Sequence, residues 1–296
     1  MNASELSNLS FHFLLIKPLL VFLKRMKNSL SALVFILTCA LWSCGNNDQS
    51  QENNSDNQIP APPVLSFQVL NQFPHDTSAF TEGFTFYNGK LFESTGSPEE
   101  HVSHSGTWIA SIDLNSGKYE RKVDLGTTYF GEGITFLNDK LYQLTYKSQK
   151  GFIYDAKTFN KVGEFAYKSE GWGLTNDGNS LIMSAGTSNI YYLTADSVRF
   201  TKMLAIQDNN GYVGDINELE FIDGFIYANK WLTTEILKID TATGYVVGKF
   251  DLSKQAADAK NKYPGAMELN GIAYDSTTRK TYITGKKWPL IYEIRW

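Results

Sequence analysis

From Val64 to Trp296 the sequence predicts an all-β fold, a five-bladed β-propeller, on three observations. Short Tyr, Phe, Ile and Val runs alternate with Asn-Gly, Asn-Asp, Asn-Ser-Gly and Asp-Gly turns, the pattern of hairpins. The stretch Phe80-Thr81-Glu82-Gly83-Phe84-Thr85-Phe86-Tyr87-Asn88-Gly89-Lys90-Leu91-Phe92 recurs almost position for position as Phe130-Gly131-Glu132-Gly133-Ile134-Thr135-Phe136-Leu137-Asn138-Asp139-Lys140-Leu141-Tyr142. Weaker copies follow at Trp172-Gly173-Leu174-Thr175, Asn217-Glu218-Leu219-Glu220-Phe221 and Asn270-Gly271-Ile272-Ala273-Tyr274, which places Glu82, Glu132, Trp172, Asn217 and Asn270 at spacings of 50, 40, 45 and 53 residues. That period is the size of a propeller blade.

Taken in order, the chain begins with a targeting segment. Residues 27 to 44 show a basic start at Lys27, an apolar run from Leu30 to Leu41, and the ending Leu41-Trp42-Ser43-Cys44-Gly45. This is a signal-peptide layout over residues 1–44, with a lipobox-like end in which Cys44 would be lipidated. The earlier apolar segment Phe11 to Leu23 is broken by Lys17 and Pro18, and either Met1 or Met26 is the start. Residues 45–63 are polar and then Pro-containing, the composition of a disordered tether. An exported bacterial lipoprotein, membrane-anchored at the periplasm or cell surface, is the expectation.

Within residues 64–296 each repeat is followed by further strand pairs, such as Trp108–Asp113 with Lys118–Asp124 and Glu235–Asp240 with Tyr245–Asp251. One helical pattern interrupts them, Leu252 to Asn261, ahead of Tyr263-Pro264-Gly265. The last repeat ends with Leu290–Trp296, only a third strand for its blade. Val64–Leu70 is therefore expected to supply the missing outer strand and close the ring.

Composition narrows the function. A net charge of −4 without a basic run in the folded part argues against nucleic acid as the ligand. The two cysteines, Cys39 and Cys44, both precede the folded body, which excludes an internal disulfide or a thiol nucleophile there. Of the histidines His12, His75, His101 and His104, only the last two are close in sequence, and no zinc-binding spacing exists. No metal site is predicted.

In a propeller the first strand of each blade lines the central channel, so Glu82, Glu132, Trp172, Asn217 and Asn270 should converge on one face. Counting five residues from the start of each paired strand gives a second ring, in which Tyr146, Trp231 and Lys286 stand beside the first. Phe80 and Phe130 wall the site. An aromatic cage with a few polar groups is the make-up of a small-molecule pocket, and its faces attract an ammonium.

These residues resemble the plant-type glutaminyl-peptide cyclotransferases, also found in bacteria. The resemblance covers nearly everything after the tether. It is carried by Phe73-Pro74-His75-Asp76, Ala79-Phe80-Thr81-Glu82-Gly83, Tyr129-Phe130-Gly131-Glu132-Gly133, Gly151-Phe152-Ile153-Tyr154-Asp155, Gly171-Trp172-Gly173-Leu174, Asn217-Glu218-Leu219-Glu220, Leu269-Asn270-Gly271-Ile272-Ala273 and Thr284-Gly285-Lys286-Lys287-Trp288-Pro289. It implies a five-bladed propeller that converts an N-terminal glutamine of a peptide or protein to pyroglutamate with release of ammonia. It also implies that no cofactor is required, while leaving room for a structural cation in the channel. Carried over, Glu132 is the catalytic carboxylate, and Phe80, Glu82, Phe130, Trp172, Asn217, Trp231 and Lys286 line the substrate pocket. Where plant members have Gln this chain has Glu82, and where they have Trp it has Tyr146.

On this reading Glu132 shuttles a proton from the α-amine to the leaving ammonia, and partial desolvation raises its pKa. Asn217, with Lys286 or the Trp172 indole N–H, is expected to stabilise the oxyanion. The glycines flanking Glu132 are expected to make room for substrate. A monomer is anticipated. Two rivals remain open: a non-catalytic propeller that binds peptide or sugar, and a metal-dependent propeller lactonase or hydrolase using Glu82 and Glu132.

Overall fold

The computed structural model describes residues 59–97 and 106–296. The expected leader, Cys39, Cys44, His12, most of the tether, and the loop histidines His101 and His104 lie outside the described residues.

Five four-stranded antiparallel sheets make the body. Blade A holds β2 (Thr81–Tyr87), β3 (Lys90–Thr95), β4 (Thr107–Asp113) and β5 (Lys118–Gly126). Blade B holds β6 (Gly131–Leu137), β7 (Lys140–Thr145), β8 (Lys150–Asp155) and β9 (Lys161–Ala166). Blade C holds β10 (Leu174–Asn176), β11 (Ser180–Met183), β12 (Asn189–Thr194) and β13 (Phe200–Ala205), followed by the small hairpin β14 (Gln207–Asp208) and β15 (Gly211–Tyr212). Blade D holds β16 (Ile216–Ile222), β17 (Phe225–Lys230), β18 (Glu235–Asp240) and β19 (Val246–Asp251). Blade E holds β20 (Leu269–Asp275), β21 (Lys280–Gly285) and β22 (Leu290–Arg295), and its fourth strand is β1 (Gln68–Pro74).

The turns explain the hairpins. Asn88-Gly89, Asn138-Asp139 and Asp223-Gly224 all take positive φ at both residues, the two-residue turn whose twist matches antiparallel strands. At the far ends of the third strands, Asp113, Asp155 and Asp240 accept backbone N–H groups from Ser116, Thr158 and Ala242 and so close the next turn.

Ring closure occurs with a shifted segment. The pairing strand is Gln68–Pro74, running antiparallel to Leu290–Arg295, and not Val64–Leu70. The chain upstream is held on blade D instead: Pro63 accepts from the Lys249 N–H at 2.9 Å, and the Leu65 N–H donates to the Lys249 carbonyl at 2.7 Å. Phe73 decides the register, because it reaches the apolar layer between blades A and E.

The core is five layers between successive blades. Phe84, Leu91 and Ile112 meet Ala273, Tyr282 and Ile291 between A and E. Ile109 and Phe92 meet Ile134 and Phe152 between A and B. Equivalent layers join B to C, C to D, and D to E. The helical pattern is α1 (Ser253–Lys262), which buries Ala259 and is tied to blade E by the Tyr292 hydroxyl donating to Asp258 at 2.8 Å.

Candidate active site

Four of the five inner strands break register at the repeat position. The shift falls between Thr81 and Gly83, between Gly131 and Ile134, between Ile216 and Leu219, and between Leu269 and Ile272. A bulge re-aims a side chain and ends regular pairing. Four of the five repeat residues, Glu82, Glu132, Asn217 and Asn270, stand at these bulges.

The second ring is held by a recurring hydrogen bond. The N–H of Gly96, Tyr146, Trp231 and Lys286 donates to the carbonyl of Phe80, Phe130, Asp215 and Glu268, the residue two before the repeat position in its own blade. Tyr146, Trp231 and Lys286 are thereby seated beside the first ring, as the spacing predicts. Where the ring has glycine, the space goes to a neighbour's aromatic. A Cβ on Gly96 would collide with the Phe130 ring, and one on Gly186 would sit 2.5 Å from the Trp172 ring.

Together these residues line a cavity of about 260 Å³ bounded by Phe80, Glu82, Phe130, Glu132, Tyr146, Trp172, Asn217, Trp231, Met267, Glu268 and Lys286. Its aromatic wall is continuous. Phe80 meets Phe130 edge-on at 6.1 Å, Phe130 lies 5.7 Å from Tyr146, Tyr146 6.4 Å from Trp172, and Trp172 meets Trp231 edge-on at 5.5 Å.

The polar side is asymmetric. Lys286 Nζ donates to Glu82 Oε1 at 2.7 Å and lies 4.6 Å from the Phe80 ring centre. Burial pushes the Glu82 carboxyl up to about 7, against the attraction of Lys286. Burial works to lower the Lys286 pKa, but the Glu82 charge, the Glu132 charge, the Glu82 hydrogen bond and the Glu268 charge together outweigh it, which favours the ammonium form. Among the described residues, Glu132 has no such cation at hydrogen-bond distance. Burial first, and then the Glu82 charge, drive its pKa well above the ordinary carboxylate value. Of the two acids, Glu132 is the one pushed upward without a directly hydrogen-bonded cation to oppose the push. Its Oε2 and the Oδ1 of Asn217 are buried without a hydrogen-bond partner among the described residues.

Residues 35–296 match the family model described as glutamine cyclotransferase. The chain is 34% identical over 235 residues to the glutaminyl-peptide cyclotransferase of Arabidopsis thaliana, covering 78% of this chain and 72% of that protein. It is also similar to the crystal structure of Myxococcus xanthus glutaminyl cyclase, with a TM-score of 0.69 and 32% identity over 80% of this chain and 97% of the other. The chain belongs to the glutamine cyclotransferase family.

Three sequence expectations are corrected in this glutamine cyclotransferase. Asn270 is fully buried behind the cavity wall, where its Nδ2 donates to the Thr81 carbonyl at 3.0 Å and to Glu82 Oε2 at 3.2 Å; it orients Glu82 instead of lining the pocket. The Trp172 indole N–H donates to Glu170 Oε2 at 3.0 Å and so is already engaged. The glycines beside Glu132 answer to protein neighbours, not to substrate: a Cβ on Gly133 would run into the Leu174 nitrogen, and one on Gly131 would meet Thr107 at 2.5 Å.

Met267 and Glu268 are pocket residues that the sequence reading did not name. A signal existed. Phe80, Phe130, Glu170 and Glu268 all stand two residues before the repeat position, so the residues chosen as walls in blades A and B mark the equivalent positions in C and E.

Proposed function

We propose that this pocket cyclises the N-terminal glutamine of a peptide or protein to pyroglutamate, with Glu132 carrying the proton between the two halves of the reaction. The contrast between neighbouring carboxylates supports this: Glu82 is compensated by Lys286, whereas Glu132 is buried, raised in pKa and unpartnered at Oε2 among the described residues. An acid tuned upward by desolvation is suited to proton transfer near neutrality.

The substrate supplies its own nucleophile. Its α-nitrogen attacks the side-chain carboxamide carbon, a ring C–N bond forms, and the bond to the amide nitrogen breaks. Glu132 takes the proton released by the α-amine and returns it to that leaving nitrogen, which departs as ammonia. Folding the flexible glutamine side chain back on itself is the entropic obstacle, and the wall from Phe130 through Tyr146 and Trp172 to Trp231 holds it bent. Asn217 and Lys286 are the donors assigned to the developing oxyanion. An ammonium has three N–H groups, and Glu82 takes one. The Trp172 indole is committed to Glu170.

The test is ammonia release from a Gln-initiated peptide. Glu132→Gln in folded form should lose about a hundredfold or more in kcat. A wild-type rate would remove Glu132 from the mechanism, and a wild-type protein that binds the peptide without releasing ammonia would establish the non-catalytic reading. The hydrolase rival would need Glu82 and Glu132 to share a cation, yet Glu82 is already paired with an ammonium. Activity is therefore expected to survive prolonged chelation, and a loss restored by added metal would overturn this. We also propose export and anchoring through Cys44 of a monomeric enzyme; Cys44→Ala should move the protein out of the membrane fraction.

A further inference from the structure

A second buried ion pair lies behind the first. His75 and Glu93 are both buried, and His75 Nε2 faces Glu93 Oε2 at 3.1 Å and Oε1 at 3.3 Å. The other ring nitrogen, Nδ1, lies 2.7 Å from the Trp288 carbonyl. The Thr284 hydroxyl donates to the Leu290 carbonyl, so its contact with Nδ1 at 3.4 Å places a third acceptor against the ring. An imidazole whose two nitrogens both face acceptors carries protons on both. Glu93 is otherwise held by hydroxyls: Thr81 donates to Oε1 at 2.6 Å and Tyr119 to Oε2 at 2.7 Å.

The partners sit where the pocket pair is aimed. Thr81 precedes Glu82 at the bulge of β2, and Trp288 closes the turn that carries Lys286. That turn needs support, because Lys287 adopts φ +58°, a left-handed conformation unfavourable for a side-chain-bearing residue. His75 clamps it through the Trp288 carbonyl and through its own N–H to the Pro289 carbonyl at 3.0 Å, while the Lys287 N–H donates to the Ala79 carbonyl at 2.8 Å.

We propose that the His75–Glu93 pair is a brace for the Glu82–Lys286 pair: Glu93 holds the bulge that aims Glu82, and His75 holds the turn that aims Lys286. Both act through other residues, so they are positioning residues. This rests on the reading of Glu82 and Lys286 as pocket residues. His75 also follows directly on β1, so the strand that closes the ring ends at the brace.

The charged and titratable groups facing His75 are Glu93 from β3, Asp76 beside it in the chain, and Tyr119 from β5 by way of Glu93. Burial lowers the His75 pKa, but the Glu93 charge and hydrogen bond, the Trp288 carbonyl and the Asp76 charge together raise it past that loss. The imidazolium's contribution to stability is fully present below pH 6.5 and is lost as pH rises through the folded value.

The experiment is a double-mutant cycle on ammonia release, joined to crystal structures of the variants. His75→Asn is expected to lower kcat/KM by about tenfold or more, mostly in kcat, because small displacements of positioned groups cost rate heavily. In a Lys286→Met background the same change should cost less than about twofold, whereas in an Asn217→Ala background it should cost its full factor. In the crystal, the Lys286–Glu82 contact of 2.7 Å should open. A penalty that multiplies equally through both backgrounds, or no penalty at all, would overturn the brace. If His75→Asn does not fold, Glu93→Gln and Tyr119→Phe run through the same cycle with the same expected and overturning results. If the wild-type protein releases no ammonia, the catalytic reading fails by itself, and the Lys286–Glu82 separation in the variant crystals still decides for or against the brace.

Discussion

Glu82 and Glu132 occupy the same repeat position on adjacent blades, and their different neighbours give them different chemistry. Lys286 reaches Glu82 and not Glu132. The Glu82 charge is also the second cause of the high Glu132 pKa, after burial. Replacing Glu82 by Gln removes that like charge, so the Glu132 pKa should fall and the acidic limb of the kcat/KM profile should move to lower pH; an unmoved limb would show that the two carboxylates do not communicate. Glu132 also weighs on stability. Its folded pKa lies above the ordinary value of 4.5, so its contribution is fully present below pH 4.5 and is lost as pH rises through the folded value. Glu132→Gln stays neutral throughout, and its melting temperature should exceed that of the wild type by a margin that grows as pH is raised from 4.5. Thermal melts across that range check the sign.

Strand β1 is the element on which the ring depends. It covers the edge of β22 from Leu290 to Arg295, over a sheet whose Ile291 and Ile294 are fully buried. Deleting residues 64–74 exposes that edge and opens the apolar layer between blades A and E. A lower melting temperature and a broader, less cooperative transition are expected; a melt that matches the intact protein would mean that β1 does not close the ring in solution. The bulges of the inner strands act at the same scale. They aim Glu82, Glu132 and Asn217 at the cavity, and in blades A, B, D and E the second-ring N–H bonds the carbonyl two residues upstream of each repeat position. In blades A, B and E the sequence shows this only as a glycine where regular alternation would have continued, and that glycine is as easily taken for a site feature as for a packing requirement; in blade D, where Asn217-Glu218 stands at the bulge, no glycine marks it.

At the scale of the whole molecule, the blades and their order are legible from the chain because hairpin turns and strand alternation are local: Asn88-Gly89 turns the same way in any fold that contains it. The repeat then makes residues at equal offsets equivalent, which is why nine of the ten chosen site residues line one cavity. The tenth, Asn270, obeys the same offset yet points behind the wall, since its amide is drawn to the Thr81 carbonyl and Glu82, 189 and 188 residues away in sequence. Register at the ring closure, the pairing of Lys286 with Glu82, the capture of the Trp172 indole by Glu170, and the Glu93 and His75 brace were likewise decided only by tertiary structure. The sequence by itself determined five blades, their channel-lining positions and a cage holding Glu132. What surrounds each of those groups depends on hydrogen bonds and charges between strands of different blades, where energy is set by distance in space and no local periodicity records it.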